Sequence, residues 1–447
     1  MNINFLDTQG IIIITIYIIL AIIFAYVTKG IYAKEENLKK LFIRGFLFKI
    51  MMGIGFAVIY DFYYNWVGDT IYYFRNGCRM GDLLFTHPKI YFQMLLGQIN
   101  SSDYYQLPEG LSYYPHRNAA IYSIHRVVSF FTIIGAKNYY STSICMNCFL
   151  YLINWKFFRF LCKMYPEKTK LFSISILFIP SVGFWSSGIM KDAFVLPFAF
   201  IFIICFYNLL YYRKIKFKYF LYLFLAIYIL LLLKVYVLYS LIISLFFYTG
   251  FAYIRKIKNP LIKVVAFPVV MLLVTVGGLY SLNKLSSSAE SHYTSVDSML
   301  QKASISQYDL KQDYYQGNSF DIGTYEPTIE GAMGVTPAAI VAGLYRPFLW
   351  EARSATMIFS GLENFILFIL LLYVLFKVGL VTIIKETFKN PLLTFCLIFS
   401  LIMAFGIGLS TSNFGSLVRF KIPFLPFWFF YWLYFYYYKQ TSPKTST

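Results

Sequence analysis

The chain has 447 residues, of which 59% are hydrophobic, 21% aromatic and only 13% charged, with a formal net charge of +19. That balance excludes an ordinary soluble domain and points to an all-α polytopic integral membrane protein. The positive charge calls for no nucleic acid, because lysines in short cytoplasmic loops are its expected source and no basic stripe lies in a soluble region.

The start, MNINFLDTQG, lacks a basic n-region, and the apolar run from Ile11 to Val27 ends at Lys29 without a small-residue cleavage site. It reads as a first span, not a removed signal. Further apolar runs lie near 41–60, 139–161, 170–186, 193–211, 219–234, 236–253, 261–281, 357–383, 391–410 and 423–438, each suited to a membrane helix. Basic segments at 29–40, 154–170, 211–218, 254–263, 385–389 and the tail are separated by even numbers of runs. Their only acids are Glu35, Glu36, Glu167 and Glu386. Positive-inside logic then predicts about eleven spans, an external N-terminus and a cytoplasmic C-terminus, in a bacterial cytoplasmic membrane. On this reading 1–447 is a single transmembrane domain with a disordered cytoplasmic tail at 439–447.

The informative sequence falls outside. The first external loop, 61–138, contains FTHPKIYFQMLLGQI (85–99) and NAAIYSIHRVVSFFTIIGA (118–136), whose periodicity predicts amphipathic helices at the interface. The second is long enough to be a span, which would break the charge parity. The later segment 282–356 is Ser- and Tyr-rich over its first part and reads as an external loop or lid. The six cysteines are scattered; Cys145 and Cys148 form a CxxC inside an apolar run and are read as packing.

Charges collect at the outer ends of the spans. Asp69 follows Gly68 in YDFYYNWVGDTIYYFRNG (60–77). Lys191 and Asp192 follow PSVGFWSSGIM and open the next apolar run. Lys234 interrupts about 35 apolar residues, where a lysine usually faces a polar cavity or snorkels at a hairpin tip. Arg346, Trp350 and Glu351 lie in LYRPFLWEAR, and Asn413 and Arg419 in TSNFGSLVRFKIP. Carboxylates serve as bases, guanidinium groups match phosphate oxygens, and aromatic rings suit sugar faces. Asp69, Asp192 and Glu351 are the candidate catalytic acids. Lys191, Lys234, Arg346, Arg419, Trp350 and Asn413 are the candidate substrate-binding residues. Asp69 and Asp192 are also of the type that ligates a divalent cation, although no clustered ligand spacing is present.

The Gly-Asp-aromatic stretch after an early span, followed by a long first external loop with amphipathic helices, resembles the GT-C superfamily of membrane glycosyltransferases. The segment NFGSLVRFKIP is similar to the arginine-bearing segments of O-antigen and exopolysaccharide polymerases of the Wzy type. The resemblance implies a polyprenyl-phosphate- or pyrophosphate-linked sugar donor and a glycan acceptor, with Asp69 as the first-loop acid and Arg419 binding phosphate. It also implies other polysaccharide-assembly proteins as partners. One departure is that long loops occur both early and late here, whereas many polymerases carry their largest catalytic loop late. Two other classes stay open: a transporter or flippase of lipid-linked oligosaccharides, and a non-catalytic assembly subunit. Against transport, the intramembrane charges Arg44, Lys49 and Lys377 are few and lie towards the presumed inner side.

Overall fold

The computed structural model describes residues 6–98, 119–254, 296–312 and 318–441. Among these, all regular elements are helical, apart from one isolated antiparallel bridge between Ser319 and Asn413. Five helical segments are long and apolar enough to cross a bilayer: Thr8–Tyr32, Glu36–Tyr63, Lys191–Tyr211, Thr356–Val378 and Pro391–Ser410. Shorter apolar helices accompany them at Ile121–Ile134, Phe217–Leu233, Val235–Gly250 and Thr336–Tyr345. By length and composition this is a multi-pass membrane protein. The span expected at 261–281 and most of the expected tail lie outside the described residues, although the last helix runs to Thr441.

The helices in chain order are α1 (Thr8–Tyr32), α2 (Glu36–Val58), α3 (Asp69–Thr86), α4 (Pro88–Leu96), α5 (Ala119–Ile134) and α6 (Tyr139–Met164). Then come α7 (Thr169–Phe172), α8 (Pro180–Trp185), α9 (Lys191–Phe206), α10 (Phe217–Leu233) and α11 (Val235–Ile254). After the undescribed stretch follow α12 (Val296–Asp309), α13 (Ile329–Gly334), α14 (Thr336–Tyr345) and α15 (Ala355–Val378). The last four are α16 (Leu380–Lys389), α17 (Pro391–Ser410), α18 (Phe414–Phe420) and α19 (Leu425–Thr441).

Two expected spans are interrupted. The run 170–186 is α7, a π-helical turn (Ser173–Leu177), a break at Ile179 and then α8. Pro180 lacks an N–H and forces Ile179 into an extended conformation (ψ 122°), so the first helix cannot continue. The run 357–383 is split at Gly379, whose φ of 86° only glycine adopts without strain, so that α16 is a separate helix. Helix α3 was not expected. It begins where sequence reading had placed only a carboxylate at the lip of the bundle.

The chain divides into two compact units. The first comprises Met1–Thr169, Ile176–Ile201 and Leu232–Lys234; the second comprises Lys170–Ser175, Phe202–Leu231 and Val235–Thr447. In the first, α2 packs closely on α6. A methyl group on Gly53 would meet the Asn147 amide at 2.6 Å, and one on Gly45 would meet the Tyr151 hydroxyl at 2.6 Å. Phe42 fills the same seam, edge-on to Tyr151 (5.3 Å) and Trp155 (5.0 Å). Helix α3 lies on α5 through Gly77 and Gly81, and the Thr132 hydroxyl donates to the Gly77 carbonyl (3.2 Å). The end of α4 is closed from α5 by Tyr122 and Arg126, which donate to the carbonyls of Met94 and Leu95 at 2.7 and 2.6 Å. The first-loop helices are therefore packed together.

In the second unit α14 is pressed against α17. A methyl on Gly343 would stand 2.1 Å from the Ala404 carbonyl oxygen, and one on Gly408 would stand 2.0 Å from that of Ala339. Two small-residue faces interlock, the usual device where helix backbones approach closely in membranes. The reading of 282–356 as one loop or lid had not included this helix.

Candidate functional site

In the first unit, the site is built around the start of α3. Helix α2 runs on through a π-helical turn, Ile59–Tyr63, and the chain then reverses through Asn65 (φ 48°), Trp66 (φ 60°) and Gly68 (φ 124°). A tryptophan in the left-handed region costs about 1–2 kcal/mol and persists only when its surroundings fix it. Here they do: the Trp66 amide donates to the Tyr60 carbonyl (3.0 Å), and its ring meets Tyr139 at 5.3 Å. Flanking contacts are the Tyr140 hydroxyl to Asp61 (2.6 Å) and the Thr70–Tyr139 hydroxyl pair (2.7 Å). Asp69 emerges from this reversal exposed at the first turn of α3, where the helix dipole favours a carboxylate.

One helical turn further, at i+3 and i+4, stand Tyr72 and Tyr73. The buried His125 of α5 packs against both, its ring 5.2 Å from Tyr72 and 5.8 Å from Tyr73. Lys191, half-buried at the start of α9, places its ammonium 5.9 Å from the centre of the Tyr73 ring. Two phenol rings, an imidazole and an ammonium thus belong to one set of contacts, and Asp69 stands one helical turn before them on α3. Sequence reading had not singled out Tyr72, Tyr73 or His125. The signal available was a histidine interrupting an otherwise apolar helical face.

The neighbouring acid behaves differently. Asp192 is 1% exposed and pairs with Lys234, itself 7% exposed at the break between α10 and α11. Two candidate residues placed in different roles by sequence are therefore one buried ion pair. The turn before them is buried too. The Ser187 carbonyl accepts from Asn147 (2.8 Å) and Ser143 (3.1 Å), and Ser186 accepts from Lys49 of α2.

The remaining candidates lie in the second unit and form a clamp. The Arg346 guanidinium donates to the Asp321 carbonyl (2.9 Å), lies 3.4 Å from the Glu351 carboxylate and packs on the rings of Phe320 and Phe348. Glu351 also accepts from the Phe348 amide (2.9 Å). Lys421 is 2% exposed and donates to the Arg346 carbonyl; burial pushes its amine down to about 7, opposed by the nearby Glu363 carboxylate. Segment 318–320 is zipped to the turn 412–414 by backbone bonds from Phe320 to Ser412 (2.7 Å) and from Phe414 to Asn318 (3.0 Å). Asn413 caps α18 by accepting from the Ser416 amide, Trp350 stacks exposed on Phe348, and Arg419 is half-buried on α18. Among the described residues no group of three His, Cys, Asp or Glu is placed to hold a metal ion.

No protein-family model matches the chain, and neither a curated protein nor a solved structure does.

Proposed function

We propose that this chain is a membrane glycosyltransferase or polysaccharide polymerase, acting at the outer face of a bacterial cytoplasmic membrane on polyprenyl-(pyro)phosphate-linked sugars. The reading keeps about eleven spans with the N-terminus outside. One observation carries it: an exposed carboxylate one helical turn from two tyrosines, with a lysine ammonium against one of their rings. The part-exposed Tyr72 ring offers a face to a sugar, the ammonium held against the buried Tyr73 attracts a phosphate, and the carboxylate accepts a proton from a hydroxyl.

In this mechanism Asp69 takes the proton of the acceptor hydroxyl. The acceptor oxygen bonds to the anomeric carbon as the bond from that carbon to the carrier phosphate breaks. The electron pair leaves with the phosphate, where Lys191 stabilises the developing charge. Asp192 and Lys234 hold the start of α9, and so Lys191, in position.

The test is an assay of purified protein in nanodiscs with a polyprenyl-linked oligosaccharide, scored for ladders or single additions. No product with donors of several sugar types would overturn the reading. The interrupted run 170–190 beside a buried lysine is the observation that favours a transporter, since broken helices line transport sites. Flux of a labelled lipid-linked sugar across liposomes, with no change in its chemistry, would select that reading.

A further inference from the structure

Helix α9 ends in a π-helical turn, Tyr207–Tyr211, which is also the end of the apolar span Lys191–Tyr211. The chain then reverses at Arg213 (φ 50°) and enters α10 at Phe217. The connection is tight. The Lys214 amide donates to the Asn208 carbonyl (2.8 Å), and the amides of Ile215 and Lys216 donate to the carbonyls of Arg213 (3.1 Å) and Lys214 (2.9 Å). Main-chain bonds thus hold a turn whose side chains, RKIKFK from 213 to 218, are all exposed.

Ile215 and Phe217 are 80% and 82% exposed, although both are large and apolar. Phe217 opens a stripe along α10 that continues through Phe220, Leu221, Phe224, Leu225 and Tyr228, all exposed at helical spacing. An outward stripe of this kind on so apolar a helix faces acyl chains. Ile215 carries the stripe past the end of the helix, and there the cations Arg213, Lys214, Lys216 and Lys218 begin. Among the described residues none of the four pairs with a carboxylate, and the sequence has no acid between Asp192 and Glu290. The ammonium groups of Lys214 and Lys218 lie instead 4.9 and 5.3 Å from the centres of the Tyr212 and Tyr219 rings. Long basic side chains beside a lipid-facing stripe carry their charges to the depth of the headgroups.

We propose that the turn 213–218 recognises the headgroups of anionic phospholipids. Ile215 and Phe217 sit at the edge of the acyl region, and Arg213, Lys214, Lys216 and Lys218 meet the lipid phosphates. Charge complementarity and the unbroken stripe together select this occupant. A free phosphate leaves Ile215 and Phe217 in water, and an acidic protein would have to reach them beneath the headgroups. One basic side chain near an anionic surface raises binding about fivefold, so four discriminate strongly between anionic and zwitterionic lipid. The inference does not depend on the glycosyl-transfer reading, which rests on Asp69, Tyr72, Tyr73 and Lys191.

The experiment reads the lipid beside the turn. An environment-sensitive fluorophore is placed on Phe220→Cys, one helical turn inside Phe217, in the full chain lacking its native cysteines. The protein is held in nanodiscs of phosphatidylcholine with a minor share of phosphatidylglycerol. A doxyl quencher high on the acyl chain is carried by phosphatidylglycerol in one sample and by phosphatidylcholine, at the same mole fraction, in the other. The anionic form should quench as if about fivefold or more enriched around the turn. Changing Arg213→Gln, Lys214→Gln, Lys216→Gln and Lys218→Gln together should make the two lipids quench alike, and so should high salt on the unchanged turn. The charge-keeping set Lys214→Arg, Lys216→Arg and Lys218→Arg should retain the selection, which separates loss of charge from loss of fold. Should the glutamine variant fail to fold, the salt titration decides. Equal quenching by the two lipids on the unchanged turn would overturn the proposal, as would selection that survives the glutamine changes or high salt. Displacement by water-soluble glycerophosphoglycerol would overturn it in favour of a free-phosphate site. A fluorophore reached by an aqueous quencher and by neither lipid would overturn it in favour of a surface turned away from the bilayer.

Discussion

The two units carry similar charged and aromatic residues at the ends of their helices, yet use them in opposite ways. In the second, Arg346 and Lys421 spend donors on main-chain carbonyls, and Glu351 accepts both from Arg346 and from a main-chain amide. Charges aimed at the protein's own backbone hold a loop in place. In the first, Asp69 stands exposed on a helix terminus that a strained reversal fixes from behind, while Lys191 leans on a tyrosine ring. Such an arrangement presents the carboxylate outward. The comparison teaches that residue type at a membrane surface says little until the direction of each hydrogen bond is known. It predicts activity effects where a charge is exposed, as at Asp69, and stability effects where charges are buried or spent on the backbone, in either unit.

The largest effect should come from Asp69. If it is the general base, Asp69→Asn lowers turnover by about 10²–10⁴-fold, the usual contribution of such a group. Its thermal midpoint should match the wild type, because the side chain is exposed. Rate and midpoint measured together on one preparation check this. Wild-type turnover in the variant would remove the contrast between the units.

Asp192→Asn, on α9, should act through stability. It leaves Lys234 buried without its partner, which costs about 3–5 kcal/mol in buried pairs. The double variant Asp192→Asn/Lys234→Met removes both charges and should regain most of the loss. Thermal unfolding of the two variants decides it. A double variant no more stable than the single would show that the pair is not the relevant unit.

How much of this was legible in the sequence follows from the range of each interaction. Long apolar runs are local patterns, so α1, α2, α9 and α17 were expected nearly as they stand. The break at Ile179–Pro180 is also local: Pro180, Ser181 and Gly183 mark a turn from 180 on, although the chain there continues as the short helix α8. Helix α3 was missed because its buried face includes Gly77 and Gly81, which carry no hydrophobic signal; their role appears only against Val128, Ser129 and Thr132 of α5. Asp69, Lys191, Asp192, Lys234, Arg346 and Glu351 were all named from sequence, since charges stand out in apolar surroundings. How they pair was not. The separations from Asp192 to Lys234 and from Arg346 to Lys421 are 42 and 75 residues, and nothing local encodes such pairings.

A smaller effect is expected at Gly343, where the second unit depends on close backbone approach and not on charge. Gly343→Ala inserts a methyl group 2.1 Å from the Ala404 carbonyl, so α14 and α17 must separate. Overpacking of this kind costs about 1–3 kcal/mol. Gly406→Ala on α17 has nothing within 4 Å of the added atom and is the matched control. Equal midpoints for the two would mean that the glycine contact does not hold the unit together.

The last test concerns the clamp itself, through pH. Lys421 is held down to about 7 chiefly by burial, whereas an unfolded lysine titrates near its ordinary value of about 10.4. Between those values the unfolded chain binds a proton at this position that the folded chain does not. Stability therefore rises with pH through that window, and below about 7 both states are protonated and the slope vanishes. Lys421→Met removes the titrating group, so its midpoint should lack this part of the rise. It also deletes the donor to the Arg346 carbonyl, adding a nearly constant offset of about 0.5–1.5 kcal/mol. Other lysines are common to both proteins, so the difference between the two midpoint curves isolates position 421. That difference should change steadily from pH 7 to 10 and level off below. Parallel curves would show that Lys421 titrates as an ordinary surface lysine and that its burial does not set its charge.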